Sequence, residues 1–259
     1  MIETRAATKR KSLSTSDDKY EIHEAMQQRR RPKVQSRLST FRPTENNHKL
    51  VYRTEKRSTT SSRPRSLTSS HVPIFTIGHG TRTLSALIDI LQPACITKLV
   101  DVRSIPRSRK NPQFNRDTLS SSKELREAHI DYIWLGISLG GRRNARQPNV
   151  ERHTAIRVAA FRNYAGYMST PTFREGLQEL MALADKTHSE ENGGVAIMCS
   201  ETLWWRCHRR MIADALEVAG RDALHLGVSK GDPAKHVLWN IARIDDDGEL
   251  VYDLKCDTG

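Results

Sequence analysis

From Ile74 onward, short apolar runs recur at regular intervals, and the stretches between them carry apolar residues at helical spacing. Ile74–Ile77, Ile96–Val102, Tyr132–Leu135, Gly194–Met198 and Ala223–Leu226 have the length and composition of buried strands. Thr83–Leu91 places apolar side chains at 84, 87, 88 and 91, which is one face of a helix. Asp117–His129, His153–Met168, Thr172–Ala184 and Trp205–Ala219 are read as further helices, the third opening after the capping pair Thr170-Pro171. Residues 136–152 form a Gly/Arg-rich loop, and Ile241–Leu254 a small hairpin turning at Asp247-Gly248. This alternation predicts an α/β domain: a mostly parallel sheet with helices on both faces and a small C-terminal hairpin. In such sheets ligands bind beyond the carboxyl ends of the strands. Gly78-His79-Gly80, Asp101 to Asn115 and Cys199 to Arg210 should therefore lie together.

Residues 1–72 break the pattern. They are rich in Ser, Thr, Arg, Lys and Gln, and Ser58–Ser70 reads as a linker. They hold 17 Lys and Arg against 7 Asp and Glu, which is +10 of the chain's net +12; the rest carries 25 basic and 23 acidic residues. Residues 1–72 are thus expected to be a disordered basic tail, and 73–259 a single α/β domain. The high charge belongs to the tail, where it favours polyanions through counterion release. The candidate partners are an anionic small molecule or nucleic acid.

Cys95, Cys199, Cys207 and Cys256 are too few and too scattered for a secreted disulfide scaffold. No apolar run reaches the roughly 18 residues of a membrane span, and the N-terminal segment lacks the apolar core of a secretory signal. Lys9-Arg10-Lys11 and Arg29-Arg30-Arg31-Pro32-Lys33 are basic clusters of the nuclear-import type. The expectation is an intracellular protein, cytoplasmic or nuclear.

Two strand ends carry candidate chemistry. After the second strand, Asp101 stands beside Arg103, Arg107 and Arg109, whose planar donor forks suit phosphate or carboxylate. After the fourth, Cys199-Ser200-Glu201 leads through Trp204-Trp205 to Arg206-Cys207-His208-Arg209-Arg210 and into a helix. A helix N-terminus attracts anions and lowers the pKa of a nearby thiol. Cys199 or Cys207 is therefore a candidate nucleophile, with His208 as base and Glu201 as acid or orienting group. Asp101 would orient Arg103 or act as a second acid. Arg103, Arg107, Arg142, Arg143, Arg206 and Arg209 are candidate anion binders. His79, Gly78, Gly140 and Gly141 are candidate pocket residues, the glycines admitting close backbone approach. Trp204 and Trp205 are residues on which a nucleobase could stack, or core packing.

No cofactor is predicted. Zinc at Cys199, Cys207 and His208 is the alternative, with His79 and His225 on other strand ends. It is disfavoured because the spacing is not a recognised one and because Cys207 and His208, as neighbours on a helix, would not share a face.

Thr76-Ile77-Gly78-His79, Asp101-Val102-Arg103-Ser104 with Pro106-Arg107-Ser108, and Asn111-Pro112-Gln113-Phe114-Asn115 form one ordered set of motifs. Leu139-Gly140-Gly141-Arg142-Arg143, Tyr164-Ala165-Gly166-Tyr167-Met168, and Met198-Cys199-Ser200-Glu201 with Arg206-Cys207-His208-Arg209 continue it. Over about residues 74–254 the chain resembles domain-of-unknown-function family 488. It departs from that pattern at Gly80, where the family commonly has a small hydroxyl residue, and the basic tail lies outside it. The resemblance implies a compact α/β domain with these motifs at one site, and implies no particular reaction.

Two functional readings follow. One is an enzyme with a cysteine-containing anion pocket acting on a phosphate-bearing or nucleotide-like substrate by thiol-dependent transfer or hydrolysis. The other is a non-catalytic nucleic-acid-binding module that relies on the basic tail.

Overall fold

The computed structural model describes residues 71–228, 231 and 233–254. The expected tail, apart from His71 and Val72, lies outside the described residues, as does Cys256. The expected architecture is present. Six strands pair in the order β3-β2-β4-β1-β5-β6, and two more form a separate hairpin. They are β1 (Ile74–Gly78), β2 (Ile96–Asp101), β3 (Asp131–Trp134), β4 (Gly194–Cys199), β5 (Ala223–His225), β6 (Ala234–Lys235), β7 (Ala242–Ile244) and β8 (Leu250–Tyr252). The first five run parallel, and β6 adds an antiparallel edge that the sequence pattern did not suggest.

All six residues of β4 are buried, as a central strand covered on both faces requires. Its side chains alternate between two cores. Val195, Ile197 and Cys199 join one, which is built with α5 (Ala159–Met168), α6 (Pro171–Glu191) and α7 (Arg209–Val218). Ala196 and Met198 join the other, with α1 (Leu84–Leu91), Phe114, α2 (Arg116–Ser120) and α3 (Lys123–Glu127). Period-two alternation therefore delivers Cys199 to the same side as α7.

Five expected elements differ: the helix expected over Thr172–Ala184 runs on to Glu191, the one expected from Trp205 begins at Arg209 after a 3-10 turn, and three others depart further. The helix over Asp117–His129 is broken into α2 and α3. Ser121 Oγ turns back onto the Asp117 carbonyl, and Ser122 Oγ accepts from the Leu125 amide, so the pair stops one helix and caps the next. The helix expected from His153 begins only at Ala159, because Ala155 N–H bonds to the Tyr252 carbonyl and His153 Nδ1 accepts from Tyr252 N–H. The loop over 136–152 contains a short helix, α4 (Gly136–Leu139), and a 3-10 turn at Val150–Arg152. The hairpin of β7 and β8 turns at Gly248 with φ +78°, held by Asp245 Oδ1 accepting from the amides of Asp247 and Glu249. None of the described helices is long and apolar enough to cross a membrane.

Candidate functional site

Parallel pairing brings the carboxyl ends of β1, β2 and β4 side by side: Gly78 is level with Cys199, and Asp101 with Met198. Beyond the last pairs the backbones stay joined, His79 N–H to the Cys199 carbonyl at 2.9 Å and Val102 N–H to the Met198 carbonyl at 3.0 Å.

At the β2 end Asp101 is fully buried and holds Arg103. Its Oδ1 accepts from the Arg103 backbone amide at 3.0 Å and from Nε at 2.9 Å, and its Oδ2 from Nη2 at 2.5 Å. Tyr132 on β3 donates to Oδ2 at 2.7 Å. Arg103 also donates to the Phe114 carbonyl at 2.6 Å, and its Nη1 lies 3.2 Å from His79 Nε2. His79 stacks on Phe114 at 4.2 Å, and its Nδ1 faces the Gly80 carbonyl at 2.9 Å. That network assigns the proton to Nδ1 and leaves Nε2 to accept from Arg103. Burial, then the Arg103 charge, pushes the His79 pKa down to about 4. Arg103 is thus committed to internal partners, and its unit braces the site.

At the β4 end two thiols and an imidazole converge. His208 Nε2 lies 2.9 Å from the Val102 carbonyl, so it carries the proton and Nδ1 is an acceptor. Nδ1 lies 3.5 Å from Cys207 Sγ and 3.8 Å from Cys199 Sγ. Burial raises the Cys207 pKa, but donation from Cys199, the Arg209 charge and the Arg209 backbone amide outweigh it, bringing the thiol down to about 6. Cys199, which donates a hydrogen bond to Cys207 and is itself buried, is pushed up to about 12. The coupled pair is thus polarised, with the Cys207 thiol at the start of α7 drawn down and its Cys199 neighbour pushed up.

Arg209 is one cause of that lowering. Its side chain is 1% exposed, and among the described residues no carboxylate pairs with it. It donates to the Glu201 carbonyl and, at 3.4 Å, to Thr76 Oγ1. A buried guanidinium without a carboxylate is costly unless another anionic group stands beside it, and the group beside Arg209 whose pKa its charge lowers is Cys207. A buried chain continues from Thr76. Its Oγ1 lies 2.7 Å from His225 Nδ1, His225 Nε2 lies 3.0 Å from His236 Nδ1, and His236 Nε2 lies 2.8 Å from Asp214 Oδ1. Tyr252 donates to the other Asp214 oxygen at 3.0 Å. Sequence reading singled out neither Asp214 nor His236. The available signal was a carboxylate among the apolar residues Met211, Ile212, Ala215 and Leu216 of α7.

The glycines fit as close approaches. A Cβ at Gly78 would meet the Glu201 carbonyl oxygen at 1.9 Å, and one at Gly141 would meet His208 Nδ1 at 2.5 Å. Gly140 is buried against Ser104, whose Oγ accepts the Arg142 amide at 3.0 Å. Of the other arginines, Arg143 lies 3.6 Å over the Tyr167 ring and donates to the Ile137 carbonyl. Arg107, Arg142 and Arg206 are exposed, as is Glu201. The structure thus brings together Cys199, Cys207, His208, Arg209 and Gly141. It leaves Glu201, Arg107, Arg142 and Arg206 on the surface of the loops. Two cavities, of about 210 and 270 Å³, are lined by other residues.

The geometric objection to a metal is corrected. Cys207 is extended, with φ −134° and ψ 153°, and His208 caps α7 rather than lying within it. Cys199 Sγ, Cys207 Sγ and a His208 nitrogen consequently lie within 4.8 Å of one another and are the group that could hold a metal ion. They supply three soft donors where a closed zinc site takes four. Arg209 stands beside Cys207, and its charge opposes a dication there.

No curated protein and no solved structure matches the chain. Residues 83–216, which run from the cap of α1 through most of α7, match the family described as domain of unknown function DUF488. That span covers more than half of the chain and takes in Asp101, Arg103, Gly141, Cys199, Cys207, His208 and Arg209. The chain belongs to the DUF488 family.

Proposed function

We propose that this protein is an enzyme in which Cys207 is a thiolate nucleophile acting on an anionic, phosphate-bearing substrate. The observation that carries the reading is the placement of Cys207 Sγ against the buried, carboxylate-free Arg209, with His208 Nδ1 at 3.5 Å. Cys207 is itself 4% exposed and packed into the apolar core, but it is set against a fixed cation at a helix N-terminus, the setting in which a thiol gains reactivity. In the reaction, Sγ bonds to the electrophilic atom of the substrate. The bond to the leaving group breaks, and the departing oxygen keeps the electron pair and takes a proton from solvent water, leaving hydroxide. Hydroxide then attacks the thiol-bound intermediate, and the bond to sulfur breaks to return Cys207 as thiolate. Cys199 stabilises the resting thiolate by donation, His208 keeps its Nδ1 beside both sulfurs, and Arg206, Arg107 and Arg142 meet the substrate anion at the surface.

The test is turnover of a panel of nucleoside and sugar phosphate esters by the full chain and by Cys207→Ser. The reading expects a loss of several orders of magnitude in the variant, as removal of a nucleophile gives. Equal turnover by both proteins contradicts it. The +10 charge of residues 1–72 favours a second, non-catalytic reading as a nucleic-acid-binding module. That reading expects steeply salt-dependent binding that is lost when residues 1–72 are deleted, and unchanged binding contradicts it.

A further inference from the structure

The turn that leads into Cys207 carries a second feature. A cavity of about 270 Å³ is walled by Ile156, Val158, Phe161, Trp205, Trp239 and Ile241. Trp205 remains 40% exposed and Val158 56%, although both are large apolar side chains on the wall of a concavity. The indoles are held in place from behind. Trp204 stacks on His225 at 4.0 Å and meets Trp205 edge-on at 5.5 Å. Trp239 is covered by the Arg210 guanidinium at 3.8 Å, and its backbone amide donates to Asp214 at 2.9 Å. A rigid aromatic wall of this kind suits a flat ring better than a flexible chain.

The charge on its lining is basic, with the buried Asp214 behind Trp239. Arg157 lines the cavity, Arg206 adjoins Trp205, and Arg210 lies over Trp239, while no Asp or Glu is among the lining residues. The complementary ligand is a planar apolar group joined to an anion. We propose that this cavity binds the base of a nucleoside phosphate, with Trp205 as its stacking surface and Arg206 and Arg157 meeting the phosphate. The nucleoside phosphate is either a free nucleotide or the end of a single strand. Stacking on indole tolerates every base, because each has a π-face. The inference rests on the proposed thiolate chemistry only for what happens to the phosphate, since binding itself does not need Cys207.

The test is calorimetric titration of the full chain with the four nucleoside monophosphates, with ribose 5-phosphate, and with a short single-stranded oligonucleotide. Nucleotides should bind about tenfold or more tightly than ribose 5-phosphate, and Trp205→Ala should remove that advantage while Trp205→Phe keeps most of it. Circular dichroism of Trp205→Ala checks that the exposed substitution leaves the fold intact. Tryptophan-dependent binding of the oligonucleotide but not of the monophosphates supports the site and assigns it to strand ends. Equal affinity for nucleotides and ribose 5-phosphate, or a Trp205→Ala protein that binds every ligand normally, overturns the inference. Cys207→Ser separates the two claims. It should keep nucleotide binding, and a turnover lost in that variant with no nucleotide binding in the parent would sink the base site alone.

Discussion

Gly141 lies directly against the imidazole of His208: a methyl group at position 141 would stand 2.5 Å from Nδ1 and 2.6 Å from Cγ. The ring cannot retreat without losing its bond to the Val102 carbonyl, and the two sulfurs occupy the space beside Nδ1. Gly141→Ala should therefore turn His208 away from Cys207. Overpacking of this kind costs about 1–3 kcal/mol. The expected outcome is a modest fall in thermal midpoint with a fold preserved by circular dichroism, and a large fall in Cys207 reactivity. A variant whose Cys207 reacts like the parent's would show that His208 does not support the thiolate.

Asp101 and Arg103 form a different kind of unit. Both are buried, and Asp101 accepts from two nitrogens of the Arg103 side chain, from its backbone amide and from Tyr132. Removing one charge leaves the other buried without compensation, which costs about 3–5 kcal/mol. Asp101→Asn should lower the unfolding free energy by that amount, seen as a lower denaturant midpoint at an unchanged slope. A stability equal to the parent's would show that the pair braces nothing.

How much of this was legible in the chain follows from the physics of each signal. The five parallel strands were legible because buried strands are short apolar runs, and α1 because Leu84, Leu87, Ile88 and Leu91 repeat at helical spacing. The late start of α5 was not, because Ala155 donates to the Tyr252 carbonyl and His153 accepts from the Tyr252 amide, bonds that override local propensity with a partner about a hundred residues away. At the site, strand ends and residue types pointed to Cys199, Cys207, His208 and Asp101. The division of labour between the cysteines was hidden, since it depends on which thiol meets the Arg209 amide. The adjacency of Cys207 and His208 misled for a local reason: the pair precedes the helix instead of lying on it.

Three histidines make the fold sensitive to acid. Burial lowers His79 and His153 to about 4 and His225 to about 3, each from an ordinary value of 6.5. A depressed histidine pKa means the native state holds the neutral ring while the unfolded chain takes up the proton. The stability they lend is complete above pH 6.5 and is lost as pH falls toward 4, on the order of 1 kcal/mol per histidine per pH unit. Denaturant midpoints should therefore drop between pH 7 and pH 5. His225→Gln should be less stable at pH 7 but less steep in its pH dependence, and parallel pH profiles for the two proteins would refute the assignment.

The charge state of Cys207 is the point on which the functional account turns. The most direct measurement is the rate of Cys207 alkylation by iodoacetamide against pH, followed by peptide mass spectrometry so that Cys95, Cys199 and Cys256 are read separately. The account predicts a Cys207 midpoint near 6, with Cys199 silent across the range in which Cys207 reacts. In Cys199→Ser the donor to Cys207 is weakened, and the midpoint should rise. A Cys207 midpoint at or above that of an ordinary thiol, unmoved by Cys199→Ser, would contradict the account.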